Sequence, residues 1–384
     1  MISKIKILIK YLLLSLTDNL IINNSKIINN NLLIIRLDAI GDYILFRNFI
    51  EILKKSKKYR DYQITFVGNS IWKSLAKEID REYIDRFIWV DRLKFEKNPF
   101  YRYKKLKEIT DKGYEIVINP TYSRSFFADD AIVKIINAEE KIGSVGDLSN
   151  IKKWQKNISD SYYTKLLSAK DEIMFEFYRH KEFFMQLVEE NMNIQKPYIK
   201  LKSKKLGFGL PYQYAILFIG ANADFRKWSV KNFVEIGRYL KEKYNYEIVL
   251  CGGPTDLNDA KKFSDSADYN YIDLVGKTSL VDFLYVINKG NLMISNETSA
   301  PHFAVALEMT NIFVISNGNH YGRFIPYPKE IWHGYHPIYH PYIKKDLDSY
   351  KRLSNSYGYG SNLNINDISL EQVITKIINV LDKK

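Results

Sequence analysis

Short apolar runs alternate with helical patterns twice over along this chain, and that alternation leaves few folds open to it. Runs at 32–37, 63–67, 87–90 and 115–119 form one set; runs at 214–219, 247–251, 272–275, 292–295 and 312–316 form a second. Strands that are apolar along their whole length need cover on both faces, and intervening helices supply it. The pattern therefore predicts an α/β protein with two doubly wound domains, each a parallel sheet with crossover helices. At 384 residues the chain is too long for one ordinary core. An amphipathic segment at 171–191 is followed by Gln195-Lys196-Pro197 and a stretch rich in lysine and glycine. This places a first domain at 31–195, a linker at 196–211 and a second domain at 212–365. Residues 366–384 read as a C-terminal helix packing back on the body, and 1–30 as a basic, apolar N-terminal segment. Two such domains facing each other would form a cleft at the carboxyl ends of their strands, where ligands bind in open α/β sheets.

The segment Asn296-Glu297-Thr298-Ser299-Ala300-Pro301-His302 closes a strand and opens a helix in one step. A strand feeding directly into a helix start aims unpaired N–H groups and the positive end of the helix dipole at one point, which suits a nucleotide diphosphate. The same residues suit an ordinary N-cap. Two glycine-bearing turns follow the first strand of each half: Leu37-Asp38-Ala39-Ile40-Gly41-Asp42 and Phe218-Ile219-Gly220-Ala221-Asn222. Neither G-x-G-x-x-G nor a Walker A sequence occurs, so no nicotinamide, flavin or other cofactor is expected.

Lysine and arginine exceed the acids by 57 − 44 = 13. Such a surplus suits an anionic partner: phosphorylated substrates, an anionic membrane face or nucleic acid. No nucleic-acid-reading motif accompanies the charge, and nucleic acid is not expected. The single cysteine, Cys251, lies in an apolar run and points to a reducing, cytoplasmic setting. At the N-terminus Lys4, Lys6 and Lys10 flank apolar residues leading into Tyr11-Leu12-Leu13-Leu14-Ser15-Leu16, with no acid before Asp18. A signal peptide would need a longer apolar core and a small-residue cleavage site. A helix docked on the protein and a segment lying on anionic lipid both remain open.

Three patterns stand in order: Ile34-Ile35-Arg36-Leu37-Asp38-Ala39-Ile40-Gly41-Asp42; Gly220-Ala221-Asn222 leading to Arg226-Lys227-Trp228; and Ser295-Asn296-Glu297-Thr298 leading to Pro301-His302. Together they resemble family 9 glycosyltransferases, the ADP-heptose:lipopolysaccharide heptosyltransferase group, over residues 31 to 330. The resemblance implies a GT-B fold of two facing Rossmann-like domains, with acceptor on the first and donor on the second. It implies inverting transfer of a heptose or similar sugar from a nucleotide diphosphate, probably ADP-linked in that group, to a lipopolysaccharide or other lipid-linked cell-envelope glycan. The family's usual signature is Asp-Thr-Gly with a following histidine; here Glu297, Thr298, Ser299 and His302 stand at those positions. A longer carboxylate and an added side chain reshape the pocket beside the diphosphate.

Displacement at an anomeric carbon requires the acceptor hydroxyl to lose a proton, and Asp42 is placed as the general base. The same position suits a helix cap, and Asp38 is a rival carboxylate. Gly41 leaves room for the acceptor. Lys227 is placed to stabilise the leaving diphosphate, with Arg226 beside it. Gly220, Asn222, Glu297, Thr298, Ser299 and His302 complete the donor site. Asp256 reaches a ribose hydroxyl or caps its own turn, and Arg323, in Gly318-Asn319-His320-Tyr321-Gly322-Arg323, is a second phosphate ligand. In Tyr122-Ser123-Arg124-Ser125-Phe126-Phe127 the aromatics stack on an acceptor sugar and Arg124 meets its phosphate, or the phenylalanines simply pack a helix start.

No metal is expected. Asp346-Leu347-Asp348 is the one Asp-x-Asp spacing and follows no core strand, while Pro337 and Pro341 break any helix that would align His333, His336 and His340. That segment reads as a tyrosine-rich loop. Two other functions compete: a nucleotide-sugar epimerase of the same architecture, and a nucleotide-sugar-binding protein without turnover.

Overall fold

The computed structural model describes residues 2–21 and 25–382. The chain divides into two compact units, one formed by Met1–Asp171 and Tyr178–Asn193, the other by Glu172–Phe177 and Ile194–Lys384.

In the first unit the strands are β1 Asn31–Arg36, β2 Gln63–Asn69, β3 Arg86–Val90, β4 Ile116–Asn119, β5 Glu140–Ser144 and β6 Lys165–Leu167. They lie in the order β3-β2-β1-β4-β5-β6, every pairing parallel. The second unit repeats the plan with β7 Tyr214–Phe218, β8 Glu247–Cys251, β9 Ile272–Asp273, β10 Leu292–Asn296, β11 Ile312–Ser316 and β12 Tyr335–Tyr339. Its order, β12-β11-β10-β7-β8-β9, is the same sequence of strands read from the opposite edge. Each is the doubly wound Rossmann-like arrangement, in which the order reverses beside the first strand and opens a ligand-binding edge there. The two units are the halves of a GT-B fold.

The central strands are apolar because both faces are covered. Leu32, Leu33, Ile34 and Ile35 are fully buried, as are Leu292, Met293 and Ile294. Under the first sheet, Phe46, Phe49 and Phe184 pack with ring centroids 5.2–5.9 Å apart around Phe66 and the buried His180. In the second unit the helix Leu370–Leu381 drives Val373 and Ile377 into the core, and the Trp228 indole N–H donates to Ile368 O at 2.8 Å.

Three strands departed from the sequence reading. β5 opens on the polar pair Glu140-Lys141, and β6 is a three-residue edge strand. The segment read as a tyrosine-rich loop forms β12, whose Pro337 is tolerated because an edge strand leaves one side of its backbone unpaired. Residues 189–213 form no regular element, yet part of this stretch is pinned to the second unit. Ile199 N–H donates to Ala306 O at 2.8 Å and Lys204 pairs with Asp282 at 2.8 Å.

The N-terminal segment is a helix, Ile2–Asn19, docked on the first unit. Tyr11 packs against Phe126 and Trp154, each with centroids 5.7 Å away. Lys10 reaches Glu96 at 3.2 Å and lies over the Phe127 ring. The strongest tie is a buried bidentate pair, in which Arg102 donates from Nε and Nη2 to Asp18 at 2.5 and 2.9 Å. Breaking one partner of such a pair strands the other charge without compensation, which costs about 3–5 kcal/mol. Asp18→Asn should therefore lower the urea-unfolding free energy by about 3 kcal/mol and speed protease cleavage within residues 2–19, read by mass spectrometry of the fragments.

Candidate active site

In the second unit, neighbouring strands β7 and β10 end side by side, and Asn296 at the end of β10 joins them. Its side-chain oxygen accepts from Trp228 N–H at 3.0 Å, and its amide nitrogen donates to Ile219 O at 2.7 Å. This brings the loop after β7 back across the end of β10. Arg226 then donates from Nη2 to the Glu297 main-chain carbonyl and lies 3.2 Å from Glu297 Oε1. Glu297 Oε2 accepts from Ser316 Oγ at 2.8 Å. Burial pushes the Glu297 carboxyl up from its ordinary range, while Arg226 and the hydroxyl of Ser316 oppose that shift.

Beside Glu297 the helix Ser299–Ala306 begins. Thr298 is its N-cap and makes no side-chain cap bond. Pro301 has no N–H to leave unpaired, so Ser299 and Ala300 carry the donors of the open end. Arg226 lines a pocket of about 1070 Å³ together with Asn222, Phe225, Asn319, His320 and Tyr359. Its Nε has no hydrogen-bond partner among the described residues. A cation lining a large pocket, with a helix start next in sequence to its Glu297 partner, supplies the elements of an anion site.

His302 is buried with Nδ1 2.6 Å from the Tyr327 hydroxyl, so Nε2 alone is left for a ligand. Burial, reinforced by Arg226, pushes its pKa down to about 3. His320 falls to about 4 for the same reasons, with Arg323 adding to the effect. Both rings are neutral at physiological pH and contribute dipoles, not charge.

Lys227 departs from expectation, and Asp256 takes the second of its two readings. The Lys227 ammonium sits 2.9 Å from both Asp256 Oδ1 and Asp259 Oδ2. It lines a separate pocket with Asp259 and Lys262, so its charge is spent on two carboxylates and Arg226 is the cation facing the larger pocket. Asp256 is buried, accepts from Gly253 N–H at 2.9 Å and packs over Gly220, where a Cβ would meet its Oδ2 at 2.2 Å. It is a turn-fixing residue, and Gly220 is required for its seat. Arg323 lies 3.6 Å from Glu176 and stacks on Tyr359, a residue of the pocket wall.

In the first unit, the turn after β1 feeds the helix Ile40–Phe46. Ala39 is its cap residue, Gly41 follows, and Asp42 stands at the third helical position, half-buried in the first turn. Asp42 is thus not the cap. Asp38 Oδ2 lies 2.7 Å from Arg36 Nη2, and its main-chain carbonyl accepts from Asn69 Nδ2 and Trp72 Nε1, each at 3.1 Å. Arg36 itself is fully buried. Since guanidinium only donates, its contact to His180 Nε2 at 3.2 Å makes that nitrogen an acceptor.

Arg124 departs from expectation. It is buried, paired with Asp160 and Asp130 and stacked on Tyr163, so it holds the loop after β4 rather than an acceptor phosphate. Phe126 likewise packs on Tyr11 and Trp154. The sequence reading missed Asp129, fully buried at the start of the helix Asp129–Ile135. Burial pushes its pKa up to about 7, opposed by Arg92 and reinforced by Asp38 and Asp130. Arg36, Asp38, Arg92 and Asp129 thus form a charged cluster at the carboxyl edge of the first sheet. An arginine ending an otherwise apolar strand and an Asp129-Asp130 pair after the aromatic stretch were its signals.

Two Rossmann-like units, the second with a pocket lined by Arg226 and the first with a carboxylate cluster on its carboxyl edge, have the architecture of GT-B glycosyltransferases. The description "Glycosyltransferase family 9 (heptosyltransferase)" matches residues 102–332, and the chain belongs to this family. Among solved structures it is similar to a family 9 glycosyl transferase from Veillonella parvula, with 19% identity and a TM-score of 0.69, over 94% of this chain and 100% of that one. The E. coli ADP-heptose LPS heptosyltransferase II matches at 13% identity and TM-score 0.65, covering 92% and 99%. E. coli heptosyltransferase WaaC, solved with ADP, matches at 15% and 0.63, covering 83% and 99%. These likenesses carry the fold. Comparison with curated proteins finds no match.

The neutral histidines give a pH test. With folded values of about 3 and 4 for His302 and His320 against about 6.5 unfolded, the unfolded chain binds more protons below that pH, so stability falls as pH drops. The raised carboxyls of Asp129 and Glu297 act in the opposite direction and remain in a variant. A His302→Gln, His320→Gln double variant should therefore lose less stability than the parent between pH 7 and about 4.5, measured by urea midpoints at each pH.

Proposed function

We propose that this protein is an inverting, metal-independent glycosyltransferase that moves a heptose or similar sugar from an ADP-linked donor to a lipopolysaccharide or other lipid-linked cell-envelope glycan. The observation that carries the reading is Arg226, locked to buried Glu297 and lining a large pocket on the unit that also holds the open start of Ser299–Ala306. Arg226 and the Ser299 and Ala300 N–H groups receive the donor diphosphate, and Glu297, Thr298 and Ser299 accept or donate hydrogen bonds to donor hydroxyls. Asn222 and Arg323 border the nucleotide. Positive charge fixed before reaction is worth most where negative charge grows, here on the departing diphosphate. On the first unit, Asp42 takes the proton from the acceptor hydroxyl as its oxygen bonds to the anomeric carbon. The bond from that carbon to the diphosphate oxygen breaks on the opposite side, inverting the centre. Asp38 and Gly41 border the acceptor.

The assignment of ADP is supported by the likeness to a heptosyltransferase solved with ADP. Metal independence is supported by the charge that Arg226 already supplies at the pocket. The buried, unpaired Cys251 suits action in the cytoplasm, where a lipid-linked acceptor would be met at the inner membrane face.

Isothermal titration with ADP, UDP and GDP should show ADP binding tightest; preference for UDP would overturn the donor assignment. Arg226→Ala should weaken ADP binding and lower the transfer rate about 100- to 1000-fold, whereas Lys227→Ala should act chiefly on stability. Asp42→Asn should lower kcat about 100-fold or more with ADP affinity unchanged. Near-parental turnover in that variant would move the base to Asp38 or Asp129.

A further inference from the structure

The docked N-terminal helix buries one side and leaves the other unclad. Leu14, Thr17 and Asp18 are buried against the first unit. On the outward side Leu8, Ile9, Leu12, Leu13, Leu16 and Leu20 are 51–68% exposed. From 8 to 16 every exposed position is leucine or isoleucine. A helix apolar on both sides is one whose second side meets something other than water.

We infer that this outward face is a docking surface for an anionic lipid bilayer, which the helix lies on and does not cross. The inference deepens the proposed function by saying how the enzyme reaches a lipid-anchored acceptor, and rests on that reading only in this respect. Among the described residues no helix is long and apolar enough to span a membrane. At about 1.5 Å per residue the helix would instead lie along the interface. Charge selects the occupant. The sequence carries Lys4, Lys6 and Lys10 with no acid before Asp18; Lys10 pairs with Glu96 and Asp18 with Arg102, so in sequence the surplus of the segment is that of Lys4 and Lys6. Two copies of a segment with this surplus would repel one another, whereas anionic headgroups would complement it. Trp154, 39% exposed and edge-on to Tyr11, flanks the helix, and indoles favour the headgroup level. The ties of Asp18, Lys10 and Tyr11 hold the docked side to the protein, so the leucines are presented from a rigid support.

The test uses the full chain in co-sedimentation with vesicles of phosphatidylcholine alone or with about 30% phosphatidylglycerol, an anionic lipid. The parent should bind the anionic vesicles at least about tenfold more tightly than the neutral ones, and less as salt rises. A Leu12→Gln, Leu16→Gln variant, altered only at exposed positions, should bind the anionic vesicles about tenfold or more weakly while retaining its circular dichroism spectrum and ADP affinity. Parent protein left in the supernatant, or equal binding by the variant, would overturn the inference. So would a dimer in sedimentation velocity that the substitutions dissolve. Failure of the parent to bind ADP would sink the donor reading and leave the vesicle result standing.

Discussion

The amide of Asn296 is the joint on which the pocket wall of the second unit hangs. Because β7 and β10 are neighbours in the sheet, their carboxyl ends leave adjacent backbone groups that a single side chain can reach. Asn296 is fully buried and uses its oxygen on Trp228 N–H and its nitrogen on Ile219 O. Both partners are main-chain groups that would otherwise face an apolar interior, where an unmet hydrogen bond costs about 1–3 kcal/mol. The loop between Ile219 and Trp228 is thereby closed at both ends, and Arg226 inside it is carried to Glu297. The ion pair is thus a consequence of strand order. Glu297, buried and pushed toward protonation, needs the guanidinium; Arg226 needs a fixed anion to hold its fork in the pocket wall.

The same joint decides between two adjacent cations. Trp228 is fixed by Asn296 at its N–H and by Ile368 at its indole. Arg226 ends a short 3-10 turn, Asp224–Arg226, and Lys227, just before the tryptophan, turns into extended backbone, so the two side chains leave the chain in different directions. Arg226 faces Glu297, and Lys227 meets Asp256 and Asp259 instead. Nothing in the dipeptide as a string distinguishes the two. The difference lies in the pinned tryptophan, and Lys227 in turn secures the Gly252-Gly253-Pro254 turn through Asp256, which accepts from Gly253.

What was legible in the residues, and what was not, follows the range of the interaction concerned. β1, β4, β7 and β10 show as apolar runs because both their faces are covered, a property written locally. β12 was hidden by Pro337 and its tyrosines, since an edge strand need satisfy only one neighbour. Asp42, Glu297 and His302 could be picked out as chemically apt side chains at strand-to-helix steps. The environment that makes Arg124 structural cannot be read from Arg124: Asp130 and Asp160 are brought to it by tertiary contact. Asp129 was missed for the converse reason, since its raised pKa arises from burial beside Asp38, a residue ninety-one positions earlier (129 − 38).

Glu297 in place of a shorter carboxylate has a structural logic of its own. One carboxyl oxygen meets Arg226 and the other accepts from Ser316 at the end of β11, whose hydroxyl also receives Gly318 N–H at 2.9 Å. An aspartate, about 1.5 Å shorter by one carbon–carbon bond, would not span these two partners from the same backbone position. The added methylene therefore ties three strand ends together: β7 through Arg226, β10 through Glu297 itself and β11 through Ser316. A carboxylate offers about four acceptor directions, so two protein contacts leave room for sugar hydroxyls in the proposed role. The group that would read the sugar is then also the group that fixes the diphosphate cation. In the proposed function, sugar recognition and phosphate grip would be coupled through one side chain, and a substitution at Glu297 would disturb both at once.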